Sequence, residues 1–330
     1  MSVITPKSFY AGILTAACVA LAPFGASAAE FPTKTIRIIV PVPPGGPTDV
    51  IARVIAERLN AMWGQAAIVE NKPGASGAIA NDLVLNAAPD GHTILIGNVS
   101  TNAITLAAYP SRQKAAALVP VNRLIEVPGI LTANGDLPVN SVQELVAKMK
   151  SGELTNVKYG STGIGTYSHI DMLRFMKKND LKATHIAYKG AGQVLPAILS
   201  NEVQLEFFNE ATGLPLIKAG RLKGLAVTWG ERLPELPDVP TMRELGYGDI
   251  GTSAWHGMFV PPGTPPEIVE KLYAATTSIL KQPDTVKKLS DQSIKVSTSE
   301  SPAEFATFIQ AEIQKWSAII KDNDVKFAGE

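Results

Sequence analysis

Two stretches of small residues carry the chemistry available to this chain. The first, Pro43-Pro44-Gly45-Gly46-Pro47-Thr48-Asp49, follows a short apolar run and opens an amphipathic segment. The second, Gly160-Ser161-Thr162-Gly163-Ile164-Gly165-Thr166-Tyr167-Ser168-His169, does the same about a third of the chain later. Glycine lets a backbone approach a ligand closely and take dihedrals that other residues avoid. The first amides of a helix lack an internal partner and point outward at the positive end of its dipole. A small-residue loop running into a helix N-terminus therefore binds anions without a charged side chain. Two such loops predict two jaws gripping one anionic ligand, with amides near Gly46 to Thr48 and near Gly165 to Ser168 as donors, helped by the Thr48 and Thr166 hydroxyls. Asp49 would repel a carboxylate, so it reads as a first-turn or N-cap residue turned away from the ligand.

Other chemistries find less support. His169 stands beside Ser168, but no third group completes a triad and no nucleophile elbow is present. The reading preferred for His169 is packing or hydrogen bonding in the first turn of its helix. His92, His185 and His256 are scattered singly, without metal-ligand spacing. Trp255-His256 lines a cleft or packs in the core. Lys189 reads as a solvated loop lysine rather than a counter-ion. Gly163-Ile164-Gly165 lacks the third glycine of a dinucleotide fingerprint, and no P-loop occurs. No catalytic residue, metal site or cofactor is expected.

The N-terminus reads as an export signal: Lys7, an apolar segment from Phe9 to Phe24, and a small-residue cleavage site with cutting after Ala28 or Ala29. A retained anchor and lipidation of Cys18 are the alternatives. Cys18 is the only cysteine, so the mature chain would carry no disulfide and no thiol chemistry. The whole chain has 30 basic and 30 acidic residues. This balance gives no basic field for a nucleic-acid partner. A bacterial periplasm fits these features, and monomer is the default.

The elements that position the loops alternate strand and helix. Thr35 to Val40, Ala67 to Glu70 and Thr93 to Gly97 read as strands. The helices between them run over Asp49 to Met62, with Ile51, Val54, Ile55, Leu59 and Met62 on one face, and over Ile79 to Ala88. That is βαβαβ, the repeat of a parallel sheet flanked by helices. The pattern restarts after Ile130-Leu131. A capping box at Ser141 opens a helix to Lys150, Val157 to Tyr159 is a strand, and a helix follows from Thr166 to Lys178. Strands at Thr184 to Ala187, Leu205 to Phe208 and Leu222 to Thr228 complete a second sheet. Met258 to Val260 lies in a further strand. Thr264 and Ser301 read as two more capped starts, the latter opening a long helix with Phe305, Phe308, Ile309, Ile313, Trp316 and Ile320 in one stripe.

Taken in order and spacing, these loops and several connecting segments resemble the Bug family, the periplasmic substrate-binding proteins of tripartite tricarboxylate transporters. The matching pieces are Pro43 to Asp49, Glu70-Asn71-Lys72-Pro73-Gly74-Ala75-Ser76-Gly77, Pro89-Asp90-Gly91-His92-Thr93, Gly163-Ile164-Gly165-Thr166 with His169, Tyr188-Lys189-Gly190, Ile217-Lys218-Ala219-Gly220, Leu236 to Thr241 and Pro261 to Pro265. The resemblance implies a two-lobed α/β (Venus-flytrap) fold, each lobe a mainly parallel sheet flanked by helices. Its division would be a signal peptide at 1–28, lobe 1 at 29–130 plus 251–330, and lobe 2 at 131–250. It also implies a small organic carboxylate, aliphatic di- or tricarboxylate or aromatic, enclosed between the lobes and delivered to membrane transporter subunits. Carried over by position, the ligand-binding residues are Pro44, Gly45, Gly46, Pro47 and Thr48, then Ser100 and Thr101 after the third strand, then Thr162, Gly165, Thr166, Tyr167 and Ser168, and Asn209. Asn209 stands where many members have aspartate; a neutral amide can donate to a ligand oxygen, which tilts the ligand away from amino acids. Lys114 to Pro120 departs from the family pattern. The rival readings are a sensory receptor and a periplasmic hydrolase.

Overall fold

The computed structural model describes residues 1–3, 31–325 and 327. The expected export signal, with Lys7, Cys18 and the cleavage site, lies outside the described residues. The chain divides into Met1–Phe31 and Pro32–Glu330, and the fold below is that of the second unit.

The elements run β1 (Ile36–Val40), α1 (Pro47–Trp63), β2 (Ala67–Asn71), α2 (Ala78–Leu85), β3 (Thr93–Asn98), α3 (Thr105–Ala108), β4 (Val119–Val127), β5 (Gly129–Asn134), α4 (Val142–Ser151), β6 (Lys158–Ser161), α5 (Tyr167–Lys178) and β7 (Thr184–Ala187). They continue with α6 (Ala191–Leu199), β8 (Leu205–Asn209), α7 (Glu210–Lys218), β9 (Leu222–Val227), β10 (Ala254–Val260), α8 (Pro266–Leu280), α9 (Pro283–Ser290), β11 (Lys295–Val296) and α10 (Pro302–Asn323). The strands form two sheets, ordered β11-β4-β10-β3-β1-β2 and β7-β6-β8-β5-β9. Among the named strands, the parallel pairs are those of the βαβ halves, β2-β1-β3 and β7-β6-β8. The strands next to the crossings, β4, β5, β9 and β10, pair antiparallel. Each sheet is therefore mixed, because a chain that leaves one sheet for the other returns in the opposite direction.

The chain passes between sheets at Pro128 and again between Val227 and Ala254. One hydroxyl ties the two passages together: Thr228 Oγ1 accepts from the Gly129 amide at 2.7 Å and donates to the Thr252 carbonyl at 3.1 Å. Parallel strands in an α/β sheet present their C-terminal ends, and the helix N-termini that follow, on one edge. That is where both small-residue loops lie.

Local signals explain most of the boundaries. Pro47 opens α1, and Gly64, at φ +68°, closes it with its amide on the Asn60 carbonyl. Ser141 and Ser301 accept from the Glu144 and Glu304 amides, each at 3.1 Å. Thr264 does not cap α8. Its hydroxyl donates back to the Pro261 carbonyl at 2.8 Å, and Pro265 holds the cap position. Ile51, Val54, Ile55 and Leu59 are buried as their spacing predicts, whereas Met62 is 42% exposed where α1 runs past the sheet. The α10 stripe is core, with Phe305, Ile309 and Trp316 buried. Both indole N–H groups at this contact, Trp255 and Trp316, donate to Glu312 Oε2 at 2.9 and 3.3 Å. Fully burying such an aromatic side chain contributes about 1.5–3 kcal/mol, so α10 is fastened to the return strand β10. Among the described residues, no helix is long and apolar enough to cross a membrane.

Candidate functional site

The first loop is held from behind. Asp49 lies in the first turn of α1, 3% exposed. Its carboxylate accepts from the Gly45 amide at 3.1 Å, from Arg53 at 2.9 and 3.0 Å, and from Asn71 Nδ2 at 2.9 Å. Asn71 also donates to the Val42 carbonyl at 3.1 Å. Burial works to raise the Asp49 pKa, but these bonds outweigh it and hold it below the ordinary carboxylate value. The Gly45 amide, named as a ligand donor from sequence, is thus turned to Asp49, at a φ of +97° that favours glycine. Pro44 and Pro47 have no N–H to give. The Gly46 and Thr48 amides make no hydrogen bond among the described residues. Thr48 Oγ1 accepts from Asn98 Nδ2 at 3.3 Å, which leaves its own proton to donate.

Asn98, at the end of β3, organises the next segment. Its Oδ1 accepts from the Ser100 and Thr101 amides at 2.9 and 3.2 Å. Ser100 to Ile104 is a wide helical turn rather than an open loop, and it runs directly into α3. Thr101 points inward: its hydroxyl bonds Asn102 Oδ1 at 2.7 Å and accepts from the Asn98 amide at 3.2 Å. It is scaffold and presents no donor to the cleft. Ser100 Oγ accepts from the Tyr167 amide at 3.4 Å. That bond joins the segment after β3 to the first amide of α5, so the two sheets' edges meet here. Pro43 packs on the other side, its Cγ 4.0 Å from where a Cβ on Gly190 would lie.

The second loop is also internally bonded. Thr162 N donates to Ser168 Oγ, Gly165 N to His169 Nδ1 and Thr166 N to the Gly163 carbonyl, each at 3.3 Å. The Gly165 and Thr166 amides, expected to face the ligand, therefore face the loop. The unpartnered donors are one turn later: the Ser168 and His169 amides, in the first turn of α5, make no hydrogen bond among the described residues. His169 and His185 stack at 4.1 Å, Tyr159 stacks on His185 at 4.9 Å, and His185 Nε2 lies 2.7 Å from Ser161 Oγ. Burial, and for His169 also its neighbour His185, pushes both imidazoles down to about 4. Both are neutral at pH 7, which lets His169 Nδ1 accept a bond. Asn209 caps α7, its Oδ1 accepting from Thr212 N at 2.9 Å, and its side chain also meets the Tyr167 hydroxyl.

The geometry brings together Gly46, Thr48, Ser100, Tyr167 and Ser168, with Asn209 reached through Tyr167. It sets Gly45, Thr101, Thr162, Gly165 and Thr166 behind them as support. Asn98, Asn71 and the amide of His169 are the contributors that sequence reading missed. Asn98 ends a strand and carries no local signal; Asn71 is visible only as part of a family motif; and an amide is not marked by its residue type.

Two sheets joined by crossing strands, with opposed helix N-termini between them, define a two-lobed solute-binding protein. The profile described as tripartite tricarboxylate transporter family receptor (TctC) matches residues 51–325. The chain belongs to this family, the Bug-type periplasmic binding proteins. It is 33% identical over 305 residues to protein BugT of Bordetella pertussis, covering 91% of this chain and 92% of BugT. MatC from Rhodopseudomonas palustris, solved with bound malate, superposes with a TM-score of 0.80 at 32% identity over 88% of this chain and 100% of its own. A second R. palustris protein, solved with adipate, gives 0.83 at 30% identity over 90% and 99%. These structural neighbours are solute-binding proteins.

Proposed function

We propose that this protein is an exported receptor that captures a small organic carboxylate between its lobes and delivers it to a tripartite tricarboxylate transporter. The two-lobe division we adopt is 29–130 with 251–330 against 131–250. The observation that carries the reading is the set of unpartnered amides at two helix N-termini, Gly46 and Thr48 at one, Ser168 and His169 at the other, linked through Asn98 and Ser100. Such amides stabilise an anion without a cationic side chain. Arg53, one turn into α1 from the first loop, is already paired with Asp49. The Thr48 and Ser100 hydroxyls, whose oxygens accept from Asn98 and Tyr167, each have a proton for a ligand oxygen. Charge-assisted bonds of this kind contribute roughly 1.5–3 kcal/mol each.

A ligand that bridges both sides does so only when they are close, so binding favours closure and closure marks the loaded receptor. The malate and adipate held by its structural neighbours support an aliphatic dicarboxylate over an aromatic acid. The test is amide NMR of the refolded protein on addition of malate or adipate. The Gly46, Thr48, Ser168 and His169 protons shift downfield most, and those of Gly45, Gly165 and Thr166 least. Dominant shifts elsewhere would refute the assignment.

A further inference from the structure

α10 ends in a turn that sends the chain across to the second loop. Asp324 closes the helix at a left-handed φ of +50°, which aspartate tolerates. The Asp324 and Val325 amides fold back onto the Lys321 and Ile320 carbonyls at 3.3 and 3.2 Å. Val325 and Phe327 lie outside any helix or strand, yet each is only 7% exposed.

The Phe327 ring touches both sides of the molecule. On the first-sheet side it meets Tyr109, just after α3, edge-on with 5.4 Å between centroids. Tyr109 is backed in turn by Arg112, whose guanidinium lies 4.1 Å over the Tyr109 ring and donates to the Ala75 carbonyl at 2.6 Å. On the second-sheet side the Phe327 ring lies on Gly165. A Cβ there would come 2.8 Å from Cε1 and 3.0 Å from Cδ1 of the ring, and Gly165 has a φ of +78°. Gly165 is therefore the seat of an aromatic ring, and no side chain fits beneath it. The same segment holds α5: Tyr167, Ile170 and Leu173 share one apolar cluster with Val325 and Phe327, and Lys177 Nζ donates to the Asp322 carbonyl at 3.0 Å.

Tyr109 follows β3 of the first sheet, and α10 packs on β10 of the same sheet, whereas Gly165 and α5 follow β6 of the second. A ring buried against both sides is a bridge, and it is complete only while the two sides are close. We propose, on the reading of this protein as a receptor that closes on its ligand, that Phe327 is a built-in latch. It spans Tyr109 and Gly165, holds the second loop toward the first-sheet side, and favours the closed form whether or not a carboxylate is present. The ligand then supplies only the rest of the closure free energy. Opening withdraws the ring from one of its two seats. Fully burying an aromatic side chain shifts an equilibrium by about 10- to 100-fold; the ring keeps one seat on opening, so the lower figure applies.

The test compares wild type with Phe327→Ala, which empties both seats, and Phe327→Leu, which keeps an apolar filler. Malate and adipate are titrated calorimetrically, and small-angle X-ray scattering gives the radius of gyration with and without the acid. The apparent dissociation constant rises as the closing-competent fraction falls, so the alanine variant should bind about 10-fold more weakly and the leucine variant within about 3-fold of wild type. Without ligand the alanine variant should be more expanded than wild type, and saturation should bring the two to the same radius. A merely structural Phe327 would lower the melting temperature and leave affinity and radius alone. An alanine variant within about 3-fold of wild type, weaker binding at an unchanged unliganded radius, or a leucine variant as weak as alanine overturns the latch. Should alanine at this position prevent folding, Tyr109→Leu loosens the same contact from the other side and is read in the same way. If wild type binds neither acid, the carboxylate reading fails instead, and the unliganded radii still decide the latch.

Discussion

Replacing Asp49 by alanine should cost both stability and affinity, because one buried carboxylate holds the first jaw. The substitution removes acceptors for the Gly45 amide at 3.1 Å, Asn71 Nδ2 at 2.9 Å and Arg53 at 2.9 and 3.0 Å. The Arg53 side chain is 54% exposed and can rehydrate, so its i,i+4 pair counts for at most about 0.5 kcal/mol. The Gly45 and Asn71 bonds go to a charged, nearly buried acceptor, at about 1.5 kcal/mol each. The expected loss is about 3 kcal/mol, or roughly 6–10 °C in melting temperature for a domain of this size. With Gly45 unanchored, the loop carrying the Gly46 and Thr48 amides must be ordered by the ligand, and affinity for a bound dicarboxylate should fall about 10-fold. Thermal unfolding followed by circular dichroism, and calorimetry on the same sample, measure both. The Asp49 pKa is depressed, so this stabilisation is fully present above its unfolded value and is lost as pH falls through the folded value. The gap between variant and wild type should therefore close in acid. An alanine variant with wild-type melting and affinity would refute the locking role.

Three further outcomes follow from the same geometry. Burial raises Glu210 to about 7; the folded state keeps a proton that the unfolded state has lost, so stability falls as pH rises from about 4.5 to about 7. Glu210→Gln should gain up to about 3 kcal/mol over wild type at about pH 8 and nothing at about pH 4.5, in urea titrations. His169, His185 and His256 are pushed down to about 4; the unfolded state binds protons first, so wild-type stability falls as pH drops from about 6.5 to about 4, by up to about 3 kcal/mol for one such imidazole. Flat urea midpoints across that range would contradict their neutral burial. Gly77→Ala combines a φ of +90° with a Cβ 2.6 Å from Thr101 Cγ2 and should cost about 3 kcal/mol, whereas Gly46→Ala, with nothing within 4 Å, should stay within about 0.5 kcal/mol.

What sequence could show was set by locality. The periodicity of α1 and α10, the serine caps of α4 and α10 and the β-branched strands are encoded within a few residues, and they reappear in the structure. Both small-residue loops were visible because glycine and proline mark backbone geometry directly. The direction of each amide was not, since it depends on partners distant in sequence. Gly45 faces inward because of Asp49, which Asn71 holds in place. Ser100 meets Tyr167 across 67 residues. The antiparallel return strands β5 and β10 follow from where the chain crosses between sheets, which no local pattern states.

The most direct test of the central claim is calorimetric titration of the refolded mature protein, stripped of carried ligand, against aliphatic and aromatic mono- and dicarboxylates. Saturable binding of one aliphatic dicarboxylate, unchanged in chemical composition afterwards, is the predicted result. An absence of binding across the panel, or turnover of a bound acid, would contradict a receptor that closes two amide-lined jaws on a carboxylate.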